Sequence, residues 1–168
     1  RHDIATGEMI SKILMPGASA PVVVAANSVW VGGIADNEVY RVDPQTETVV
    51  QTIPVAGIPR YMTVGEGKVW VINADAGTVQ AIDPETGETG DPIATGLVID
   101  ADYHSLGVQG DIDTRGGFVW LNSGTSVAKA GSLVERYATK EGMRGTIRYG
   151  DGSLWISGDF IYRVRPPE

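Results

Sequence analysis

The chain has 168 residues, 42% of them hydrophobic and 20% charged, enough length and apolar content to bury one sizeable core. Its formal net charge of −8 argues against nucleic acid or an anionic membrane surface as the main partner, because both are gripped by clustered Lys and Arg. The absence of cysteine excludes a disulfide framework, a thiolate zinc site and a cysteine nucleophile, and no apolar run approaches the roughly 20 residues a membrane helix needs, so no membrane insertion is expected.

The chain repeats itself. Asp3 and Thr6 recur as Asp43 and Thr46 and again as Asp83 and Thr86, and Ile13, Ile53 and Ile93 follow in the same register. A fixed period of this length marks a repeat architecture. In chain order, residues 3–8 read as a turn and residues 9–15 as a strand. Then come an apolar run at 21–25, a turn at 26–28, the run Val29, Trp30, Val31, a loop at 34–38, and a strand at 39–42 that enters the Asp43-Pro44 turn. The second copy repeats this order from Tyr61 through Trp70 to the Asp83-Pro84 turn.

Each copy therefore holds four short β-rich runs separated by turn residues. The Asp-Pro-x-Thr turn has a local cause. Pro presets φ at its second position, and the Asp and Thr side chains can accept hydrogen bonds from nearby amides. The Val-Trp-Val runs are apolar on both faces, as suits strands sandwiched between two neighbouring sheets.

The third copy breaks the period. Trp120 follows Trp70 by 50 residues instead of 40, and the surplus lies in residues 97–107. Trp155 comes only 35 residues later, and Tyr137 stands 18 residues before it, against 30 between Tyr40 and Trp70. The outer strand of the third unit is accordingly expected to be missing or vestigial. The chain closes with strands at 146–149, 154–156 and 160–164, one outer strand short of a full unit. Residues 9–15 are expected to supply that strand.

The pattern Gly-x-Gly-x-Val-Trp-Val, then Val-x-x-Ile-Asp-Pro-x-Thr-Gly, then Ile-Pro-Val resembles the YVTN-type and streptogramin-lyase-like β-propeller repeats of bacteria, closely over 1–96 and more loosely beyond. The resemblance implies an all-β propeller of four-stranded antiparallel blades in a single domain. About four blades are expected, over residues 18–56, 57–96 and 97–141, with a fourth built from 1–17 and 142–168. Two ring arrangements stay open, a self-contained ring of four blades or part of a larger propeller. The second is favoured because the chain begins in mid-blade without an initiator Met and an incomplete ring leaves strand edges open.

In such a fold the loops joining outer to next inner strand, and second to third strand, share one face around the central channel. The residues expected to bind ligand there are Arg60, Asn73, Asp102, His104, Asp111, Asn122 and Arg144. Asp75, Asp100, Lys129 and Asp159 fall on the same face. Asp100, Asp102 and His104 alternate inside the period-breaking insertion, and with Asp111 they have the donor types for a hard cation. Their spacing matches no calcium loop, a solvated acidic loop is the preferred reading, and no metal or cofactor is expected. Arg60 and Arg144 are suited to clamp an anionic group, or to pair with a neighbouring Asp.

Resemblance to the lyases implies a histidine general base, a carboxylate and Mg²⁺ near the channel, with a second strand reading Trp-Phe-Thr-Glu. Here Gly32, Ile72, Asn122 and Ser157 close those strands and no Glu stands among them. The expected function is therefore a non-catalytic binding or scaffold module that presents its loop face to a small molecule or protein. In the larger-propeller arrangement another chain is the partner expected to complete the ring. The alternative is a lyase or metal-dependent hydrolase using His104 with Asp102 or Asp111. An extracytoplasmic or secreted setting is the expected one.

Overall fold

The computed structural model describes residues 1–17, 19–95, 110–115, 117–122, 126–130, 135–138, 145–157 and 160–165, with the backbone alone at 20, 126–130 and 135–138. Four antiparallel sheets follow one another along the chain. The first holds β1 (Ser19–Ala25), β2 (Ser28–Gly33), β3 (Glu38–Asp43) and β4 (Thr48–Pro54). The second holds β5 (Pro59–Gly65), β6 (Lys68–Asn73), β7 (Thr78–Ile82) and the short β8 (Ile93–Ala94). The third holds β9 (Asp111–Arg115), β10 (Phe118–Asn122), β11 (Ser126–Ala130) and β12 (Glu135–Ala138). Among the described residues the fourth has three strands, β13 (Ile147–Gly150), β14 (Ser153–Ser157) and β15 (Ile161–Val164).

Within each sheet the strands lie side by side in chain order. The reason is local. The first two strands of a sheet are joined by two-residue turns whose residues have positive φ: Ala26 and Asn27, Glu66 and Gly67, Asp151 and Gly152. Two consecutive positive φ values define the turn that matches the right-handed twist of a hairpin.

One expectation is corrected here. The third sheet has a complete outer strand, β12, paired with β11 through Val127↔Tyr137 and Ala128↔Arg136. Tyr137 therefore lies on the fourth strand and is not the counterpart of Tyr40, which lies on the third. The run at 126–130 is the third strand, pairing Leu121 with Ala128.

The sheets stack face to face. Their first strands pack in succession, β1 on β5, β5 on β9 and β9 on β13, and so form the inner row of an arc. The approach is close at Gly65, where an added Cβ would run into the Thr114 side chain and backbone, and Thr114 Oγ1 donates to Val64 O at 3.0 Å. Apolar clusters fill each gap. Trp30, Val39 and Ile53 of the first sheet meet Met62, Val69, Val71 and Ile82 of the second. Ile72 and Val79 of the second meet Ile112, Val119 and Leu121 of the third. Trp120 of the third meets Ile147, Leu154 and Ile156 of the fourth and stacks on Tyr149 at 5.6 Å.

Residues 1–15 continue this stack on the other side of the first sheet. Ile13 and Met15 pack on Val31, Tyr40 and Val42, as Ile53 and Val55, forty positions on, pack on Val71 and Ile82. The bridge His2↔Met9 repeats the pairs Val42↔Val49 and Ile82↔Thr89. Arg1 donates to Glu47 Oε1 at 3.1 Å, just as Arg41 reaches across to Glu85 O at 3.0 Å. The N-terminal residues are thus the outer hairpin of a unit that would precede the first sheet. Among the described pairings residues 9–15 do not bond β15, and β15 has β14 as its neighbour.

Candidate functional site at the channel mouth

The ends of the inner strands gather most of the described candidates. Arg60 is the second residue of β5 and Asp111 the first of β9, while Asn73 and Asn122 close the strands hydrogen-bonded to them. Strand pairing brings Asp111 opposite Asn122, and Pro59, beside Arg60, opposite Asn73. Four of the seven residues expected to bind ligand therefore lie at one end of two adjacent sheets. Asp102, His104 and Arg144 lie outside the described residues, as do Asp100 and Asp159.

Asp111 is held in place between sheets. Its Oδ2 accepts from the Ile147 amide at 3.0 Å and from the Arg148 guanidinium, and its side chain is only 14% exposed. Two residues along β9, Asp113 Oδ2 accepts from the Tyr149 amide at 2.7 Å. Alternate side chains of a strand point the same way, so the carboxylates at 111 and 113 take successive outward amides of β13. They substitute for a backbone ladder where two blades meet at the axis. Charge-assisted bonds of this kind are roughly twice as strong as neutral ones.

Asn122 works in the same junction. Its Nδ2 donates to Gly145 O at 3.0 Å, tying the end of β10 to the segment that enters β13. That segment is fixed again by Thr146, whose amide donates to Ser157 Oγ at 2.9 Å. One sheet earlier, the fully buried Asn73 donates through Nδ2 to Thr78 Oγ1 at 3.1 Å and to Gln80 Oε1 at 3.4 Å. Gln80 Oε1 also accepts from the Ala56 amide and its Nε2 donates to Gly90 O. Asn73 Oδ1 is buried without a hydrogen-bond partner among the described residues. Asp75 accepts from the Ile58 amide at 2.7 Å and so fixes the loop entering β5.

Arg60 places its guanidinium 5.9 Å from the centre of the Tyr61 ring. Burial pushes the Tyr61 phenol up from its ordinary pKa, and the neighbouring Arg60 partly offsets that shift. Around the mouth the inner strands thus present Arg60, Asp111 and Arg148 in succession, a basic-acidic-basic row on β5, β9 and β13. Arg148 was not foreseen from the sequence. It pairs with Trp155 as Thr63 pairs with Trp70, and the usable signal was a basic residue near the start of an inner strand.

Such a row suits recognition of a polar or anionic group by a rigid rim, since guanidinium groups offer planar, directional donors. Among the described residues no group of three or more His, Cys, Asp or Glu is arranged to hold a metal ion. The described histidine, His2, lies away from the mouth, in the N-terminal hairpin, with Nδ1 3.1 Å from Gly7 O. A concavity lined by Gln51, Ile53, Pro54, Gly87 and Thr89 lies apart from these residues, between the outer strands of the first two sheets.

No family model matches the chain, and no curated protein does. Solved structures do. A streptogramin B lyase superposes with a TM-score of 0.71 and 16% identity, covering 93% of this chain and 54% of its own. A catalytically inactive virginiamycin B lyase from Staphylococcus aureus, solved with quinupristin, gives 0.70 and 13%, over 95% of this chain and 60% of its own. The computationally designed protein Ika4 gives 0.65 and 10%, over 95% of this chain and 99% of its own. The fold is that of a streptogramin-lyase-like β-propeller, and this chain spans a little over half the length of the lyases it matches. Identities this low carry the fold alone.

Proposed function

We propose that this chain is a non-catalytic propeller module, a rigid platform whose channel-mouth loops bind a small molecule or a protein segment. The observation that carries this reading is what the polar residues of the mouth already do. Asp111, Asp113, Asn122 and Asp75 are engaged with backbone amides or carbonyls of neighbouring segments. A general base must be free to take a proton, and a metal ligand must be free to coordinate. Carboxylates locked into inter-sheet bonds serve rigidity, and rigidity favours binding by lowering the ordering cost. The rim formed by Arg60 and Arg148 supplies donors for an anionic or carbonyl-bearing group.

The enzyme reading draws its support from the likeness to the lyases. Its test is to incubate the chain with a streptogramin B and Mg²⁺ and follow turnover by mass spectrometry. No turnover is expected from the chain or from His104→Ala. Metal-dependent turnover that His104→Ala abolishes would replace the binding reading with a lyase.

A further inference from the structure

We propose that the groove between the outer strands of the first two sheets docks an extended polypeptide segment carrying Lys or Arg, which adds to the open edge of β4. The inference is independent of what the channel mouth does, because the groove lies apart from it. It rests on a contrast between two gaps built from the same repeat. Side chains close one of them, and the other is open.

The closed gap lies between the N-terminal hairpin and the first sheet. There the Arg1 guanidinium and the Ser11 hydroxyl both donate to Glu47 Oε1, at 3.1 and 2.7 Å. A cation seated on a carboxylate thus ties the hairpin of one unit to the turn of the next. Forty positions on, Arg1 recurs as Arg41, but Ser11 becomes Gln51 and Glu47 becomes Gly87. With no carboxylate at 87, Arg41 bonds the Glu85 carbonyl instead, at 3.0 Å. The Gln51 amide settles over Gly87, where an added Cβ would lie 2.3 Å from Nε2, and it donates to Thr86 O at 3.3 Å.

The space beside them is a cavity of about 490 Å³, with β4 from Gln51 to Pro54 as one wall and Gly87, Glu88 and Thr89 as the other. The carboxylate has moved by one position, since Glu88 stands where the first sheet has Thr48. Glu88 is exposed, as are Glu85 and Asp91 on either side of it, and none of the three forms an ion pair among the described residues. Among the described residues no Lys or Arg lines the cavity. Such a wall repels an anionic occupant and attracts a cationic one.

The other wall selects a polypeptide. β4 is the last strand of its sheet, with β3 as its neighbour. Its register is regular here, Arg41↔Gln51, Tyr40↔Thr52 and Val39↔Ile53, and the Val55 amide donates to Asn37 O at 3.0 Å. Successive residues of an antiparallel strand turn their backbone groups to opposite sides. Gln51 and Ile53 therefore face β3, while the N–H and C=O of Thr52 and the carbonyl of Pro54 face away. Open groups of this kind are a template for a further strand. Strand addition draws affinity from main-chain bonds and specificity from alternate side chains. A segment laid along Thr52 sends every second side chain toward the second sheet, where Glu88 can receive a Lys or Arg as Glu47 receives Arg1.

The test selects phage bearing short random peptides on the immobilised chain and titrates the enriched sequences, synthesised with a fluorescent label, by anisotropy. Peptides carrying Lys or Arg are expected to be enriched, and Glu88→Arg to weaken their binding about tenfold or more, since it sets like charges together. Glu88 is exposed in a turn, so this variant should fold, which circular dichroism checks. Hydrogen exchange gives a second reading: the Thr52 amide should exchange more slowly when peptide is bound. Failure to enrich any peptide would overturn the proposal, as would binding that Glu88→Arg leaves unchanged or that leaves Thr52 unprotected. A peptide lost on Arg60→Ala and kept on Glu88→Arg would place recognition at the mouth, and so would overturn the groove while supporting the function proposed above.

Discussion

At the scale of single residues, the repeat is held by the aspartates of its turns. Asp3, Asp43 and Asp83 each accept the amides two and three positions on, as in Asp3 Oδ1 with Ala5 and Thr6 at 2.8 and 2.9 Å. These bonds favour the ionised carboxylate, and all three are held below their ordinary pKa, Asp3 through the Thr6 amide first and Asp43 through the Gln45 amide first. Asp83 falls furthest, to about 2, because the Lys68 ammonium 2.6 Å away adds to the turn amides. In the first sheet the position of Lys68 is held by Ser28, so Asp43 lacks that partner. A carboxyl whose folded pKa lies below its unfolded value of about 3.9 contributes stability above that value, and the contribution is lost as pH falls toward the folded pKa. Asp83→Asn is therefore expected to lower the melting temperature at pH 7 and to flatten its decline between pH 4 and pH 2. Asp43→Asn should flatten that decline less. Melting curves at pH 7, 4 and 2 decide the matter, and an unchanged acid slope in Asp83→Asn would refute the assignment.

At the scale of strands and sheets, the tryptophans report how well each blade is covered. All four donate Nε1 to the carbonyl five positions earlier, Trp30 to Ala25, Trp70 to Gly65, Trp120 to Arg115 and Trp155 to Gly150, at 3.1 to 3.3 Å. Their hairpins are alike, but their burial differs. Trp30 is fully buried and Trp155 is 39% exposed. Trp30→Ala should cost about 3–5 kcal/mol, the range for emptying a packed aromatic site. Trp155→Ala should cost less than half as much. Urea denaturation of both variants tests this, and equal losses would mean that Trp155 is covered as fully as Trp30. The same elements show how far sequence carries. The 40-residue period and the turn chemistry made the first two sheets legible strand by strand. The third was misread because β11 is built of Ser126, Val127, Ala128, Lys129 and Ala130, short of the large β-formers that mark a strand. The aromatic Tyr137 was matched instead to the third strand. The site was legible as polar residues at strand ends, such as Asp111 and Asn122. Their partners were not, since Ile147 and Gly145 lie 36 and 23 residues further on, across a sheet-to-sheet gap that no local pattern records.

At the scale of the whole molecule, the stack runs from the N-terminal hairpin to the last sheet, and its first layer is the thinnest. Residues 1–15 cover Val31, Tyr40 and Val42 through Ile13 and Met15. They are pinned at the turn of the first sheet, where Arg1 and Ser11 both donate to Glu47 Oε1, at 3.1 and 2.7 Å. Those two donors, Ser11 ahead of Arg1, hold the Glu47 carboxyl below its usual range. The cover also matters to Tyr40, whose phenol is pushed well above its ordinary pKa, first by burial and then by its bond to Asp36. Removing residues 1–15 would return the partly buried surface of Ile13 and Met15 to water and expose the cluster beneath. At about 25 cal/mol per Å² of apolar area, two such side chains and the uncovered face amount to a loss of about 2–4 kcal/mol. The truncated chain should keep its β-sheet circular dichroism, melt at a lower temperature, and bind an apolar dye that the full chain does not. Ultraviolet titration of the tyrosines should show one phenol moving back toward the ordinary range. A truncated chain as stable as the parent, with unchanged tyrosine titration, would show that the hairpin is not the cover of the first sheet.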